Sequence, residues 1–202
     1  MGRSAETNQR MRDERRENLL SVALQLFAAR GLAATKIGDI ARRARMSQGL
    51  LYHCFRSKEA IYLELIRRAF ERMNATARGL EQLPISPRKK IVRALEALLQ
   101  GLAQQEDSAL THLLLAQASA SEVTPRPVRV LIEEERSVPY DVMARIFRAG
   151  QKDGSVRGGD PAELALLFWV IVRGLAIHKA AWGGGLRAPA PASLSRIFPA
   201  EE

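Results

Sequence analysis

Side chains that donate hydrogen bonds or carry positive charge are concentrated between Thr35 and Lys58. Ser47, Gln48 and Tyr52 stand close together there, and lysine and arginine residues flank them on both sides. Such groups bind phosphates and the edges of bases. The chain carries no nucleophile elbow, no glycine-rich phosphate loop and no paired carboxylates of a hydrolase. The pattern therefore indicates a binding protein and not an enzyme.

The apolar residues in this stretch predict two short helices joined by a tight turn. Thr35 is the expected N-cap of the first helix, and Ser47 is the expected N-cap of a second helix that runs through Phe55. Apolar residues recur at helical spacing in both segments: Ile37, Ile40, Ala41 and Ala44 in the first, Leu51 and Phe55 in the second. This is the pattern of a helix-turn-helix, whose second helix enters the major groove of DNA.

The charge of the chain is concentrated near its N-terminus. Residues 1–60 contain 12 lysine and arginine residues against 6 acidic ones, which accounts for +6 of the formal net charge of +9. Phosphate neutralisation supplies most of the affinity for DNA that is independent of sequence, so a basic first third favours a polyanionic partner. A basic surface that serves only solubility is the alternative.

The rest of the chain also shows helical periodicity, and no segment alternates like a strand, so the fold class is predicted to be all-α. Residues 1–56 are expected to form the helix-turn-helix domain, with 1–9 as a flexible arm and the first helix beginning at Arg10. Residues 57–83 are expected to form a connecting helix, capped by Ser57 and ending near Gly79. Residues 84–182 are expected to form a second helical domain, with a break near Ser137 because of Pro139, and 183–202 a flexible tail.

The last predicted helix, from Asp160 to about Trp182, is apolar around almost its whole circumference. A single small core cannot cover such a helix, so a second subunit is expected to pack against it together with the helix from Pro139 to Gly150. The side chains predicted for this dimer interface are Leu164, Phe168, Ile171 and Leu175.

The N-terminal part, from about Leu19 to Ile66, resembles the tetracycline-repressor-like (TetR) family of bacterial transcriptional regulators. The resemblance rests on several motifs taken together. They are Leu19-Leu20, Ala23, Leu26-Phe27, Gly31, Thr35 with Asp39-Ile40-Ala41, Ser47-Gln48-Gly49, Leu51-Tyr52, Phe55 and Ser57-Lys58-Glu59. The second half shares only the all-helical habit of that family.

The resemblance implies a homodimer that binds a palindromic operator in double-stranded DNA and is released from it by a small-molecule inducer. By position, Gln48 and Gly49 would contact base edges. Phosphates would be contacted by Thr35, Lys36, Tyr52 and Lys58. The complete set of predicted DNA-binding residues is Thr35, Lys36, Arg45, Ser47, Gln48, Gly49, Leu50, Tyr52, His53 and Lys58.

Three positions depart from the family pattern. Arg45 stands where the turn usually has glycine, so it must adopt the turn geometry or bend the motif slightly, and it could instead contact a phosphate. Leu50 replaces a small polar residue and could contact a thymine methyl group. Cys54, preceded by His53, stands where the family often has histidine.

A ligand cavity is predicted among residues 86–180, because large apolar side chains are frequent there and polar ones are few. The candidate lining residues are Met143, Phe147, Trp169 and His178; the alternative is that they fill the core. No cofactor is predicted. No metal site is predicted either, because His112 and His178 are far apart in sequence and are more simply explained by packing or by hydrogen bonds to a ligand.

The sequence thus predicts a DNA-binding transcriptional regulator, with a protein that coats DNA without sequence preference as the alternative. A near-neutral C-terminal domain favours the regulator, since a coating protein would not need it. A single cysteine, the lack of a secretory signal and the lack of an uninterrupted apolar run of membrane length predict a cytoplasmic protein with no membrane partner.

Overall fold

The computed structural model describes residues 2–182 together with 189–190, 193–194 and 197–198, and within these ranges the chain folds into α-helices without a strand. The helices of the first half are α1 (Gly2–Ala34), α2 (Ile37–Arg43), α3 (Gln48–Cys54) and α4 (Lys58–Gln82). Those of the second half are α5 (Pro87–Gln104), α6 (Glu106–Ala120), α7 (Arg126–Glu135), α8 (Val138–Lys152) and α9 (Pro161–Trp182). The predicted all-α fold is confirmed.

Local signals set most of the helix boundaries. The hydroxyl of Ser47 accepts a hydrogen bond from the backbone N–H of Leu50, and that of Ser57 accepts one from Ala60. At the start of α9, Asp160 accepts one from the N–H of Ala162. These side chains satisfy N–H groups that lack a partner in the first turn, so α3, α4 and α9 begin where the sequence predicts.

One expectation about the N-terminal region was wrong. Residues 1–9 were expected to form a flexible arm, but α1 is already helical from Gly2. Gly31 interrupts the helix, with φ 74° and ψ 169°. Glycine reaches this positive φ without a steric penalty, and the chain can turn there toward α2. The connecting helix α4 ends at Gln82, three residues past Gly79 and within the expected range 57–83.

The helix-turn-helix packs on a core that extends into the second half of the chain. Leu19, Phe27, Ile40 and Leu51 are fully buried in it, and side chains of α6 and α7 belong to the same cluster. Helix α6 is joined to α1 near both of its ends: the Ser21 hydroxyl donates to the Asp107 carboxylate at 3.1 Å, and the Gln117 amide donates to the Ala28 carbonyl at 3.0 Å. The orientation of the first three helices is therefore tied to α6.

A second core lies between α8 and α9 and includes part of the predicted tail. The Phe198 ring is buried, with its centroid 5.2 Å from that of Phe147 and 6.2 Å from that of Phe168. The N–H of Arg157 also donates to the Phe198 carbonyl. The expectation of a flexible tail was therefore wrong at Phe198, because its ring removes apolar surface from water. For most other residues between 183 and 202 the expectation lies outside the described residues.

Candidate nucleic-acid interface

The short helix α3 presents one apolar and one polar side. Leu51 is fully buried against the first core, whereas Gln48, Gly49, Tyr52 and His53 are exposed. Tyr52 leaves half of its surface open to solvent. Because half of this aromatic side chain does not pack against the protein, it is accessible to a binding partner. Leu50 is half-buried at the edge of the same surface.

Two glycines shape this polar surface in different ways. A Cβ at Gly49 would meet no atom within 4 Å, so the fold itself does not need glycine there. A Cβ at Gly38 on α2 would lie 3.0 Å from the side-chain nitrogen of Gln48. The Gln48 amide therefore packs against α2 at Gly38, where a larger residue would contact it closely.

Arg45 makes the turn between α2 and α3. Its φ is 57°, the one positive value found for a non-glycine residue in the described part of the chain. The turn geometry expected for this arginine is confirmed, and its side chain is exposed next to α3. A non-glycine residue in the left-handed region costs about 1–2 kcal/mol, so an arginine at this position must be held by its surroundings.

Thr35 does not act as the sequence predicts. The N-cap position of α2 is occupied by Lys36, without a side-chain hydrogen bond. Thr35 is 1% exposed, and its hydroxyl donates to the carbonyl of Gly31 at 2.7 Å. The N-cap prediction was wrong, and the buried hydroxyl has no access to a phosphate. It supports the end of α1, where the kink leaves carbonyl groups without helical partners.

Lys58 also differs from its predicted role. Its ammonium group donates to the carbonyls of Leu32, Ala33 and Thr35, at 2.9, 3.2 and 3.0 Å. These three bonds use all three ammonium protons. The structure thus gives the Lys58 ammonium group backbone partners in place of the predicted phosphate. The lysine fixes the start of α4 to the end of α1, whose C-terminus attracts positive charge.

An ion-pair network holds α1 against α4. The Glu64 carboxylate accepts hydrogen bonds from Arg16 at 2.8 Å and from Arg68 at 3.0 Å, and Arg68 also contacts Glu17 at 2.8 Å. Burial tends to raise the pKa of Glu64, but the bonds from the two arginines outweigh it and lower that pKa. The Arg16 guanidinium also lies 4.3 Å from the centroid of the Phe55 ring. These contacts position the C-terminal end of α3.

The predicted ligand-binding residues do not share one site. Met143, Phe147 and Trp169 are all buried in the second core, where the Trp169 indole donates to the Pro139 carbonyl at 3.1 Å. His178 was misplaced by this prediction, because it is exposed and stacks on Trp182 at 6.0 Å between ring centroids. His112 lies inside instead. Burial, followed by the charges of Arg173 and Arg72, lowers the pKa of His112 to about 4, so it is neutral near pH 7.

The predicted dimer residues are also distributed differently. Leu164 and Phe168 are buried within the subunit, while Ile171 and Leu175 are half-buried. Leu164 and Phe168 were wrong as interface residues, because they already pack on α8. The exposed side of α9 carries another apolar set: Leu166, Leu167, Val170 and Ile177. Helical spacing places residues 166, 170 and 177 on one side of the helix, so this face could be found from the sequence. Because α9 is apolar all round, however, the sequence does not show which side packs on the core of its own subunit.

Helix α9 is also the one helix of the described ranges that is long and apolar enough to cross a membrane. A third of its most apolar window is buried in the subunit. One such helix is weak support for a membrane span, because an interface helix of a soluble protein has the same composition.

Comparison with known proteins identifies the family. The sequence profile described as bacterial regulatory proteins, tetR family, matches residues 19–65. The HTH-type transcriptional repressor KstR2 of Rhodococcus jostii (strain RHA1) is 31% identical over 164 residues, which cover 79% of this chain and 78% of that protein. The chain belongs to the tetR family. KstR2 of Mycolicibacterium smegmatis is 28% identical over the same shares of the two chains.

Solved structures of tetR-family regulators share the fold. The ketosteroid transcriptional regulator KstR2 of Mycobacterium tuberculosis superposes with a TM-score of 0.72 at 23% identity, covering 91% of this chain and 90% of its own. The MbdR regulator from Azoarcus sp. CIB gives 0.75 at 23% identity, covering 90% and 93%. AibR, solved in complex with isovaleryl coenzyme A and operator DNA, gives 0.70 at 16% identity, covering 91% and 95%.

The family assignment identifies α3 as the second helix of a DNA-binding helix-turn-helix. This tetR-family protein is a sequence-specific, DNA-binding transcriptional regulator. The helix-turn-helix predicted from sequence is confirmed, and so is the expectation of a regulator over a protein that coats DNA without sequence preference.

Proposed function

We propose that the protein is a cytoplasmic repressor without enzymatic activity, and that α3 reads its operator. The observation that carries this proposal is the exposed polar side of α3, mounted on the buried Leu51. Gln48, Gly49 and Leu50 would face base edges in the major groove. There an amide can make two hydrogen bonds to the major-groove edge of adenine, and an apolar side chain can contact a thymine methyl group.

Contacts to phosphates are assigned to exposed groups around α3. Lys36 precedes α2, Arg45 occupies the turn, and Tyr52 and His53 project from the later part of α3. Ser47 stays at the N-cap of α3, where its hydroxyl is already engaged with Leu50. Positive and hydrogen-bonding groups on both sides of a reading helix fix its register on the duplex.

The second subunit is assigned to the exposed apolar side of α9. Leu166, Leu167 and Val170 each leave about half of their surface in water. Burying such surface releases about 25 cal/mol per Å², and a two-fold pair of α9 helices would bury the same residues on both subunits. The symmetry would then set the two α3 helices roughly 34 Å apart, one turn of DNA.

Operator binding tests this function directly. Binding sites would be selected from fragmented genomic DNA, and affinity would be measured by fluorescence anisotropy at fixed salt in the presence of excess bulk DNA. Gln48→Ala should reduce discrimination at one base pair by about 1–3 kcal/mol, whereas Gln104→Ala, on the exposed side of α5, should not. Equal affinity of the wild type for operator and bulk DNA would refute the proposal.

Release by a ligand is the second part of the function. KstR2 is described as a ketosteroid transcriptional regulator and AibR was solved with isovaleryl coenzyme A, so ligands with an apolar body are the class to screen first. Helix α6 connects the two halves through Ser21 and Gln117, which gives a ligand bound in the second half a route to the orientation of α3. A screen in which no compound lowers operator affinity would remove this part and leave DNA binding standing.

A further inference from the structure

Side chains of α8 and α9 meet in the second half of the chain, and His112 of α6 and Arg72 of α4 lie near them. The Arg173 guanidinium of α9 lies 5.6 Å from the centroid of the Tyr140 ring of α8, and that ring lies 5.9 Å from Trp169. His112 of α6 is half-buried. It is close enough to Arg173, and to Arg72 of α4, for both charges to act on it.

These two arginines lack the acidic partners that other arginines have. Arg68 pairs with Glu17 and Glu64, and Arg145 pairs with Glu81. Within the described ranges, no ion pair with a carboxylate includes Arg72 or Arg173. Arg72 is exposed to solvent, whereas Arg173 is half-buried, so Arg173 carries the unpaired charge that is partly removed from water.

Arg173 is also out of place in its own helix. Between Glu163 and Lys179, α9 contains no other lysine, arginine or acid. Its side chain is half-buried, and a charge that is removed from water without a partner is costly. Packing alone would favour leucine or methionine at this position. An arginine stacked on an aromatic ring is a typical recognition group for a carboxylate.

We propose that Arg173, assisted by His112 and Arg72, binds the carboxylate of the effector. The effector is then an apolar acid, and its body packs beside the rings of Tyr140 and Trp169. Arg173 can offer two parallel N–H bonds to the two carboxylate oxygens, and the neutral His112 can donate one more through a ring nitrogen. This inference rests on the proposed release by a ligand and specifies the chemistry of that ligand.

The test compares acids with alcohols of the same body. Full-length protein would be incubated with decanoate or decanol, and with 5β-cholanate or 5β-cholan-24-ol, at fixed protomer concentration. Thermal unfolding would report binding, and anisotropy of labelled operator would report release. In at least one pair the acid should bind ten-fold or more tightly than the alcohol. Arg173→Gln should abolish this preference, while Arg148→Gln, an exposed arginine of α8, should keep it.

The outcomes separate the inference from the function on which it rests. Equal binding of acid and alcohol in both pairs, or an acid preference that survives in Arg173→Gln, would overturn the carboxylate site. If an alcohol still released the operator, the proposed function would stand without the carboxylate site. Arg173 could instead bind the second subunit, and sedimentation tests this alternative. If the Arg173→Gln protein is monomeric and the wild type shows no preference for acids, Arg173 belongs to the subunit interface and the inference is overturned.

Discussion

Replacing Lys58 by methionine should destabilise the protein, because the structure gives this lysine a structural role at the junction of α1 and α4. Its ammonium group binds three backbone carbonyls at 2.9–3.2 Å. A hydrogen bond to a charged group contributes about 1.5–3 kcal/mol, and three bonds from one group are not additive. Methionine keeps most of the apolar stem. The expected loss is therefore about 2–4 kcal/mol of the free energy of unfolding.

Lys36 provides the matched control, since it is an exposed lysine beside α2 without a side-chain cap bond. Lys36→Met should change stability by less than about 0.5 kcal/mol but should weaken operator binding and reduce the salt slope by about 1, as loss of one phosphate contact requires. Lys58→Met should therefore lower stability, whereas Lys36→Met should lower operator affinity.

Urea denaturation followed by far-UV circular dichroism at a fixed protomer concentration would measure the stability of both variants. Operator affinity would be measured at a temperature where both are folded. A Lys58→Met protein as stable as the wild type, with operator affinity reduced like that of Lys36→Met, would refute the structural role and restore the phosphate contact predicted from sequence.

Three further predictions use other parts of the structure. Gly49→Ala should raise the free energy of unfolding by about 0.5–1 kcal/mol, because its Cβ meets no atom, yet weaken operator binding ten-fold or more; unchanged affinity would place the DNA elsewhere. Val170→Glu should give folded monomers in sedimentation while Phe168→Glu should unfold the subunit, and a dimeric Val170→Glu protein would move the interface. The pKa of His112 is lowered to about 4 in the folded protein, so the unfolded chain binds a proton more readily, and the free energy of unfolding should fall as pH drops from about 6.5 toward 4. Between pH 7 and pH 5 the wild type should lose about 2 kcal/mol from this group. In urea denaturation at the two pH values, the loss measured for His112→Gln should be smaller than that of the wild type by this amount.

Elements set by local chemistry were predictable from sequence. Ser47 and Ser57 cap their helices because the accepting hydroxyl and the donating N–H lie three residues apart, and Pro139 separates α7 from α8 because it lacks a donor. Such signals act within a few residues and need no tertiary structure.

The errors concern partners that are distant in sequence. Lys58 reaches carbonyls more than twenty residues earlier, and Thr35 turns inward only because Gly31 interrupts α1. Phe168 and Val170 are equally apolar in sequence, but only the packing of α8 decides which of them is buried. The functional residues of the second half are therefore the least predictable, since their roles depend on which helices meet.

The burial of Phe198 has a practical consequence for the handling of this protein. A polypeptide truncated after Trp182 would lack the ring that packs on Phe147 and Phe168, and an emptied aromatic site costs about 3–5 kcal/mol. A protease that cuts between 182 and 198 would leave the ring without its covalent tether. The last twenty residues should therefore be kept in expression plasmids, and affinity tags should follow them through a spacer rather than replace them.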